Sequence, residues 1–288
     1  MTTLLPTFLC IGAQKAGTTS LHGYLNQHPG VFVTGQKELN FFCDPDYARG
    51  IEWYESHFKA SPRDLPRGEI SPLYTSFPSN KGVPERAARH VPDARLVYLV
   101  RDPIARMVSH YRHQVALGKE GLPLESAVFD DWWTYIARSM YGWQIEQWME
   151  YFDRSSLLLV TSEDLRSAPA ATLAKICGHI GADVLADSGI SAREQNRGED
   201  LRKERRLVGT LRTSPLRRVA RSVLPAGVRR RLWHMGSRPL EPEVQAASIS
   251  TDVRRRLVDQ LTPDLEHLRT YLGADFHCWG LLDEAVAG

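Results

Sequence analysis

The sequence lacks several features that would define a membrane, secreted or metal-binding protein. No stretch approaches the roughly 20 apolar residues that a membrane span needs. The N-terminus has neither a positively charged leader nor a long apolar run before a small-residue cleavage site. We therefore expect a cytoplasmic protein. The cysteines are far apart and form no CxxC pair, which favours reduced, mostly buried thiols over a disulfide framework or a zinc site: Cys10, Cys43, Cys177 and Cys278.

The chain also lacks a strong net charge. Its 36 lysine and arginine residues nearly balance 34 aspartate and glutamate residues, which leaves a formal charge of +2. Any affinity for an anion must therefore come from local clusters of basic residues. Because the basic residues are concentrated in one region of a chain with so little net charge, we do not expect a nucleic-acid partner.

What the sequence does contain is an alternation of short apolar strands with helices. Its 288 residues are enough for one large α/β domain, and we expect a single domain over residues 1–288. The alternation predicts a parallel sheet with helices on both faces. The main predicted strands are Thr7–Ile11, Val31–Val33, Gly68–Ser71, Arg95–Val100 and Ser156–Thr161. The main predicted helices are Thr18–Gln27, Pro103–Leu117, Asp131–Phe152, Ala168–Ile180 and Thr251–Leu272.

A glycine-rich loop between the first strand and the first helix predicts an anion site in a P-loop-type fold. The segment is GAQKAGTTS, residues 12–20, and its backbone N–H groups and helix dipole would face the anion. Its lysine lies inside the loop, at Lys15, and does not follow Gly17 as in a Walker motif. Such a lysine would reach a group close to the turn, such as a nucleotide 5′-phosphosulfate, without a metal. The alternative is an ordinary strand–turn–helix with a surface lysine. The predicted binding residues are Lys15, Ala16, Gly17, Thr18, Thr19 and Ser20.

A second anion site is predicted where the strand LVYLV meets Arg101 and the helix after Pro103. Ser109 follows Arg101 by eight positions, and the six residues from Pro103 to Ser109 span about 9 Å of helix. An extended arginine could therefore share one phosphate with that serine. This segment resembles the 3′-phosphate-binding segment of sulfotransferases that use 3′-phosphoadenosine 5′-phosphosulfate (PAPS). The resemblance implies that Arg101 and Ser109 bind the 3′-phosphate of PAPS and of the product PAP.

The segment KELNFF, residues 37–42, resembles the glycosaminoglycan-type branch of that family, such as heparan sulfate sulfotransferases and bacterial cytoplasmic members. The resemblance implies that Glu38 is the catalytic base, with Lys15 and Lys37 stabilising charge on the transferred and leaving groups. The related heparan enzymes often have a lysine where this chain has Ile70, and a histidine or glutamine where it has Asn40. The acceptor therefore stays open among a carbohydrate, a glycolipid and a small natural product, with a hydroxyl or an amine as the reacting group.

Residues 193–240 form an arginine-rich region that we predict to be a loop followed by basic helices, as a lid over the cofactor. The family closes its cofactor site with a basic loop, and Gly198 and Arg202 are the residues that the resemblance assigns to it here. The basic helices could be solvated faces packed on the core, or a surface that meets anionic lipid or an anionic acceptor.

Two alternatives to a sulfotransferase remain at this point. A P-loop kinase would bind ATP with Mg²⁺, but it would need the Walker lysine after Gly17, and a helix cap already explains Asp102. A non-catalytic protein of the same fold would bind PAP without turnover. The sequence makes no prediction of the oligomeric state.

Overall fold

The computed structural model describes residues 4–184, 202–204 and 237–287, and its centre is a five-stranded parallel sheet. The strand order is β2-β3-β1-β4-β5, with β1 at Phe8–Gly12, β2 at Phe32–Val33, β3 at Arg67–Ile70, β4 at Arg95–Val100 and β5 at Leu157–Thr161. In the register, Cys10 of β1 lies opposite Ile70 of β3 and Val97 of β4. The carboxyl ends of these three central strands therefore meet at one edge. The sheet and its flanking helices confirm the predicted α/β fold.

Helices alternate with the strands along the chain. They are α1 (Thr18–Leu25), α2 (Ile51–Ser56), α3 (Val83–His90), α4 (Pro103–Ala116), α5 (Leu124–Asp130), α6 (Trp132–Tyr135), α7 (Tyr141–Met149), α8 (Ser162–Ser167), α9 (Pro169–Ile180), α10 (Pro242–Ala246), α11 (Thr251–Leu272) and α12 (Leu281–Ala287). Helix α4 begins as predicted, because the Asp102 carboxylate accepts the N–H groups of Ile104 and Ala105 at 2.8 and 2.9 Å, and proline occupies the first turn.

The prediction of one long helix over Asp131–Phe152 is wrong. The chain forms α6, a 3₁₀ turn at Ala137–Ser139 and then α7. The first N–H groups of α7, at Gly142 and Trp143, are bound by the carboxylate of Asp264 at 3.1 and 2.7 Å. A cap supplied from about 120 residues further along the chain leaves no local pattern, so periodicity alone joined the two helices.

Two apolar cores hold these elements together. The first surrounds the sheet and includes Leu21 of α1, Trp148 of α7 and Ile176 of α9. The second lies among α4, α5 and α11, with Met107 and Leu261 fully buried. Phe276 and Trp279 pack against both cores and join them.

The described part of the arginine-rich region consists of two short antiparallel strands, β6 (Arg202–Glu204) and β7 (Ser237–Pro239). Gly198 and the predicted basic helices lie outside the described residues. The cysteines at positions 10, 43, 177 and 278 are buried free thiols, as predicted. In the described ranges, no helix combines the length and apolar character needed to cross a membrane, and no cluster of His, Cys, Asp and Glu could hold a metal.

Candidate active site

The glycine-rich loop lies at the carboxyl end of the central strand β1 and leads directly into α1. Gly12 is required there, because a Cβ at that position would overlap Oγ1 of Thr75. Gly17 has a φ of +96° and Lys15 a φ of +74°, so the chain turns sharply before the helix. The N-cap residue of α1, Gly17, has no side chain with which to cap the helix N-terminus. The N-cap residue therefore does not compete for the first N–H groups of the helix, and anion binding by residues 15–20 stays a prediction.

The two predicted anion sites are adjacent in the fold. Arg101 follows β4, the strand beside β1, and its Nη1 donates to the carbonyl oxygen of Lys15 at 3.2 Å. Ser109 lies on α4, half-buried and two turns into the helix. Burial together with the positive charges of Lys37 and Arg101 lowers the pKa of Lys15 to about 8. A lysine in such surroundings gains a partner when an anion binds.

Sequence reasoning did not identify two arginines that support this loop from below. Arg106 is fully buried, and its guanidinium donates to the carbonyl oxygens of Gln14 at 3.4 Å and Tyr135 at 2.7 Å. Burial lowers its pKa to about 10, so it keeps its charge at neutral pH. Arg138 donates to the side-chain oxygen of Gln14 at 3.0 Å. Arg106 lies inside the motif that contains Arg101 and Ser109, but only its burial beneath the loop distinguishes it from a surface arginine.

Glu38 lies beside the loop. Lys37 Nζ donates to Oε1 of Glu38 at 2.9 Å and to Oγ1 of Thr19 in the first turn of α1 at 2.7 Å. The Glu38 side chain is 44% exposed, so its carboxylate is accessible to a molecule that arrives from solvent. Three predicted site residues, Lys15, Thr19 and Glu38, are thus brought together with Lys37 around one helix N-terminus.

The backbone of the KELNFF segment has an unusual conformation. Glu38 has a φ of +60° and Asn40 a φ of +53°, both left-handed and both non-glycine. The Glu38 N–H donates to the carbonyl oxygen of Ile70 at 3.1 Å, and the Asn40 N–H donates to Oγ of Ser71 at 3.0 Å. These contacts tie the segment to the end of β3, which adjoins the strand that leads into the glycine-rich loop.

The fold and this site define an α/β protein of the P-loop type with a glycine-rich loop and an adjacent carboxylate. A family model described as Sulfotransferase domain matches residues 5–205, so the chain belongs to the sulfotransferase domain family, whose members are transferases.

Named relatives are found among heparan sulfate enzymes. The chain is 29% identical over 197 residues to the human bifunctional heparan sulfate N-deacetylase/N-sulfotransferase 2, a match that covers 62% of this chain and 22% of that protein. It is 31% identical over 186 residues to mouse heparan sulfate glucosamine 3-O-sulfotransferase 3B1, with 62% and 46% covered. The chain thus matches less than half of the length of either relative.

Solved structures agree on the fold. A sulfotransferase from Alicyclobacillus acidocaldarius superposes with a TM-score of 0.66 at 21% identity, covering 95% of this chain and 98% of that one. A mouse sulfotransferase complexed with PAP superposes with a TM-score of 0.54 at 13% identity, covering 98% and 89%.

Proposed function

We propose that this protein transfers the sulfuryl group of PAPS to a hydroxyl or amine of a carbohydrate or other small acceptor, with Glu38 as the base. One observation supports this most directly. Lys37 bridges the Glu38 carboxylate and Thr19 at the N-terminus of α1, with bonds of 2.9 and 2.7 Å. A proton acceptor, a cation and a helix N-terminus therefore occupy one site, where they could position and assist an in-line group transfer.

The residues present fit a nucleotide with two anionic ends. The loop from Lys15 to Ser20 would hold the 5′-phosphosulfate, and Arg101 with Ser109 would hold the 3′-phosphate. Lys15, Lys37, Arg101 and Arg106 all lie near the loop, and the partly exposed Glu38 is a carboxylate that acts on Lys15. Such a surplus of positive charge favours an anionic ligand. PAPS supplies a sulfuryl group joined to phosphate, which needs less charge neutralisation than a terminal phosphate and therefore no metal.

Each side chain then has a defined part in the transfer. Glu38 accepts the proton of the acceptor hydroxyl or amine as the new bond to sulfur forms. Lys15 and Lys37 neutralise the negative charge that builds on the phosphate oxygen as its bond to sulfur breaks. Arg106 adds a buried positive charge below the loop, where it is screened little by solvent. The products are the sulfated acceptor and PAP, and Glu38 returns its proton to solvent.

The strand β6 supports a role for the arginine-rich region at the cofactor. β6 begins at Arg202 and its backbone packs against α4, the helix that carries Ser109. We therefore propose that residues around Arg202, with Gly198, close over the bound nucleotide as part of the same domain.

The acceptor class rests on the relatives, whose names include both N- and 3-O-sulfotransferases of heparan sulfate. We propose an amino sugar or a related glycan as the first acceptor to examine. Transfer of ³⁵S from PAPS to a glucosamine oligosaccharide, compared with its N-acetylated form, separates the two reactions. Loss of transfer on acetylation would identify amine sulfation, whereas retained transfer would identify a hydroxyl.

Calorimetric titration with PAP and with ATP, each with and without Mg²⁺, tests the cofactor. We expect tight PAP binding that is independent of metal, and weak ATP binding. Metal-dependent ATP binding without preference for a 3′-phosphate would overturn the proposal in favour of a P-loop kinase. PAP binding without transfer to any acceptor would favour the non-catalytic alternative.

Replacing Glu38 by glutamine tests the base. We expect turnover to fall by about 10²–10⁴-fold, the usual contribution of a general base, while PAP binding stays equal or becomes slightly tighter because a negative charge is removed. Glu85→Gln is the matched control, since Glu85 forms a similarly exposed ion pair with Arg89 on α3. Normal turnover of Glu38→Gln would show that another group accepts the proton.

A further inference from the structure

Glu69 is a fully buried carboxylate on β3 that the transfer reaction described above does not use. Its Oε1 accepts hydrogen bonds from the hydroxyls of Tyr54 at 2.6 Å and Tyr74 at 2.5 Å, and its Oε2 accepts one from Ser71 at 2.7 Å. Burial raises its pKa, and the three hydroxyls act in the opposite direction. None of its described hydrogen-bond partners is a lysine or arginine. Burial of a carboxylate without a cationic partner costs free energy, whereas a fully hydrogen-bonded network of this kind fixes the groups that it joins in one arrangement.

Two of these three hydroxyls also bind the KELNFF segment. Ser71 Oγ accepts the N–H of Asn40 at 3.0 Å, and Tyr74 Oη accepts the N–H of Phe42 at 3.4 Å. Tyr54 also donates to Glu69, but among the described hydrogen bonds its hydroxyl accepts no N–H of the segment, and its ring stacks on Phe41 at 4.3 Å. In both chains of hydrogen bonds, an N–H of the segment therefore donates to a hydroxyl, and that hydroxyl donates to the carboxylate.

The direction matters because a hydroxyl has a single proton. Both oxygens of Glu69 accept, so the protons of Ser71 and Tyr74 point towards the carboxyl group and their oxygen lone pairs are left for the segment N–H groups. The segment needs these hydrogen bonds, since Glu38 and Asn40 both have left-handed backbone conformations that residues other than glycine rarely adopt. Glu38 itself has one further backbone bond, to Ile70 at 3.1 Å.

We propose that Glu69 is a positioning residue for Glu38. Acting through Ser71 and Tyr74, it holds the backbone of residues 38–42 so that the Glu38 carboxylate lies against Lys37 and the first turn of α1. The role rests on the proposed function, because it assigns Glu69 to the orientation of the base and not to binding of the nucleotide.

A matched pair of substitutions separates this role from simple stability. Ser71→Ala and Tyr54→Phe each remove one hydroxyl that donates to Glu69, but only Ser71 also accepts an N–H of the segment. We expect Ser71→Ala to lower kcat for sulfuryl transfer from PAPS to a glucosamine oligosaccharide at least tenfold, with KM for PAPS and Kd for PAP within threefold. Tyr54→Phe should leave kcat within threefold. Amide hydrogen exchange at Asn40 should accelerate at least tenfold in Ser71→Ala and stay unchanged in Tyr54→Phe.

Glu69→Gln completes the test. The amide keeps the size of the side chain but replaces one acceptor oxygen by a donor, so one hydroxyl must reorient. We expect kcat to fall at least tenfold, with PAP binding retained and Asn40 exchange accelerated. Equal effects of Ser71→Ala and Tyr54→Phe, or wild-type exchange in Glu69→Gln, would overturn the proposal and leave Glu69 a structural residue. If the wild-type protein failed to bind PAP or to transfer sulfate, the proposed function would fail, and the exchange comparison would still decide whether Glu69 holds the backbone of residues 38–42.

Discussion

At the scale of single residues, the lowered pKa of Lys15 lets us predict how nucleotide affinity depends on pH. Its pKa of about 8 in the free protein should rise when an anion binds, because the ligand favours the charged form. The complex then holds a proton that the free protein has lost above pH 8. Through Lys15, PAP affinity should therefore change little near pH 7 and fall by up to tenfold per pH unit above pH 8.

Calorimetry at pH 7 and 9 in buffers of different ionisation enthalpy measures this proton uptake. Lys15→Arg is the control, because arginine stays charged throughout this range and should remove the dependence. Proton uptake that persisted in Lys15→Arg would assign the titration to another group.

The second anion site can also be tested at a single residue, by substitution of Arg101. Arg101→Ala should weaken PAP by about 10–100-fold, the range expected for losing a charge-assisted hydrogen bond to phosphate. A nucleotide without the 3′-phosphate, such as adenosine 5′-phosphosulfate, should be affected much less. Arg95→Ala is the comparison, since Arg95 lies at the opposite end of the same strand β4. Equal weakening of both nucleotides would show that Arg101 does not bind the 3′-phosphate.

At the scale of elements, the junction of α7 and α11 depends on Asp264. Its buried carboxylate binds two N–H groups of α7, and burial raises its pKa from 3.8 to about 6. The folded protein therefore binds this proton more tightly than the unfolded chain between pH 4 and 6, so the contribution of Asp264 to stability falls as the pH rises through that window. Across the whole window, the contribution of Asp264 to the free energy of unfolding falls by about 3 kcal/mol.

The free energy of unfolding of wild type and Asp264→Asn, measured by denaturant at pH 4 and pH 7, tests this prediction. The difference between the two proteins should change with pH, because asparagine does not titrate. Neighbouring groups such as His267 and Glu146 remain in both proteins and largely cancel. A constant difference would mean that Asp264 does not titrate in this range.

At the scale of the whole molecule, the two apolar cores should unfold as one unit. Phe276 and Trp279 pack against both, and the Trp279 ring lies 6.3 Å from that of Tyr141. Scanning calorimetry should show a single transition. PAP at 100 times its Kd should raise the temperature of that transition, because it adds about 2.7 kcal/mol to the free energy of unfolding. Two transitions, of which PAP moved only one, would contradict the expectation of a single domain over residues 1–288.

Local sequence patterns predicted part of the structure of the whole molecule. The strands, the glycine-rich loop, the Asp102 cap and α11 were predictable because each depends on a few neighbouring residues and on the periods of strands and helices. The assignment of Glu38, Arg101 and Ser109 came from motif resemblance, and their catalytic and binding roles stay predictions.

The sequence by itself determined that this chain forms a parallel α/β sheet with a glycine-rich loop after its first strand and belongs among sulfotransferases, since those properties are encoded in short contiguous segments. Tertiary structure alone decided that Arg106 lies beneath the loop, that Asp264 separates α6 from α7, and that Glu69 supports the segment of Glu38. These contacts join residues that the order β3-β1-β4 and the packing of α7 on α11 bring together. A buried polar group needs hydrogen-bond partners, and a local sequence pattern does not identify partners that lie far away in the chain.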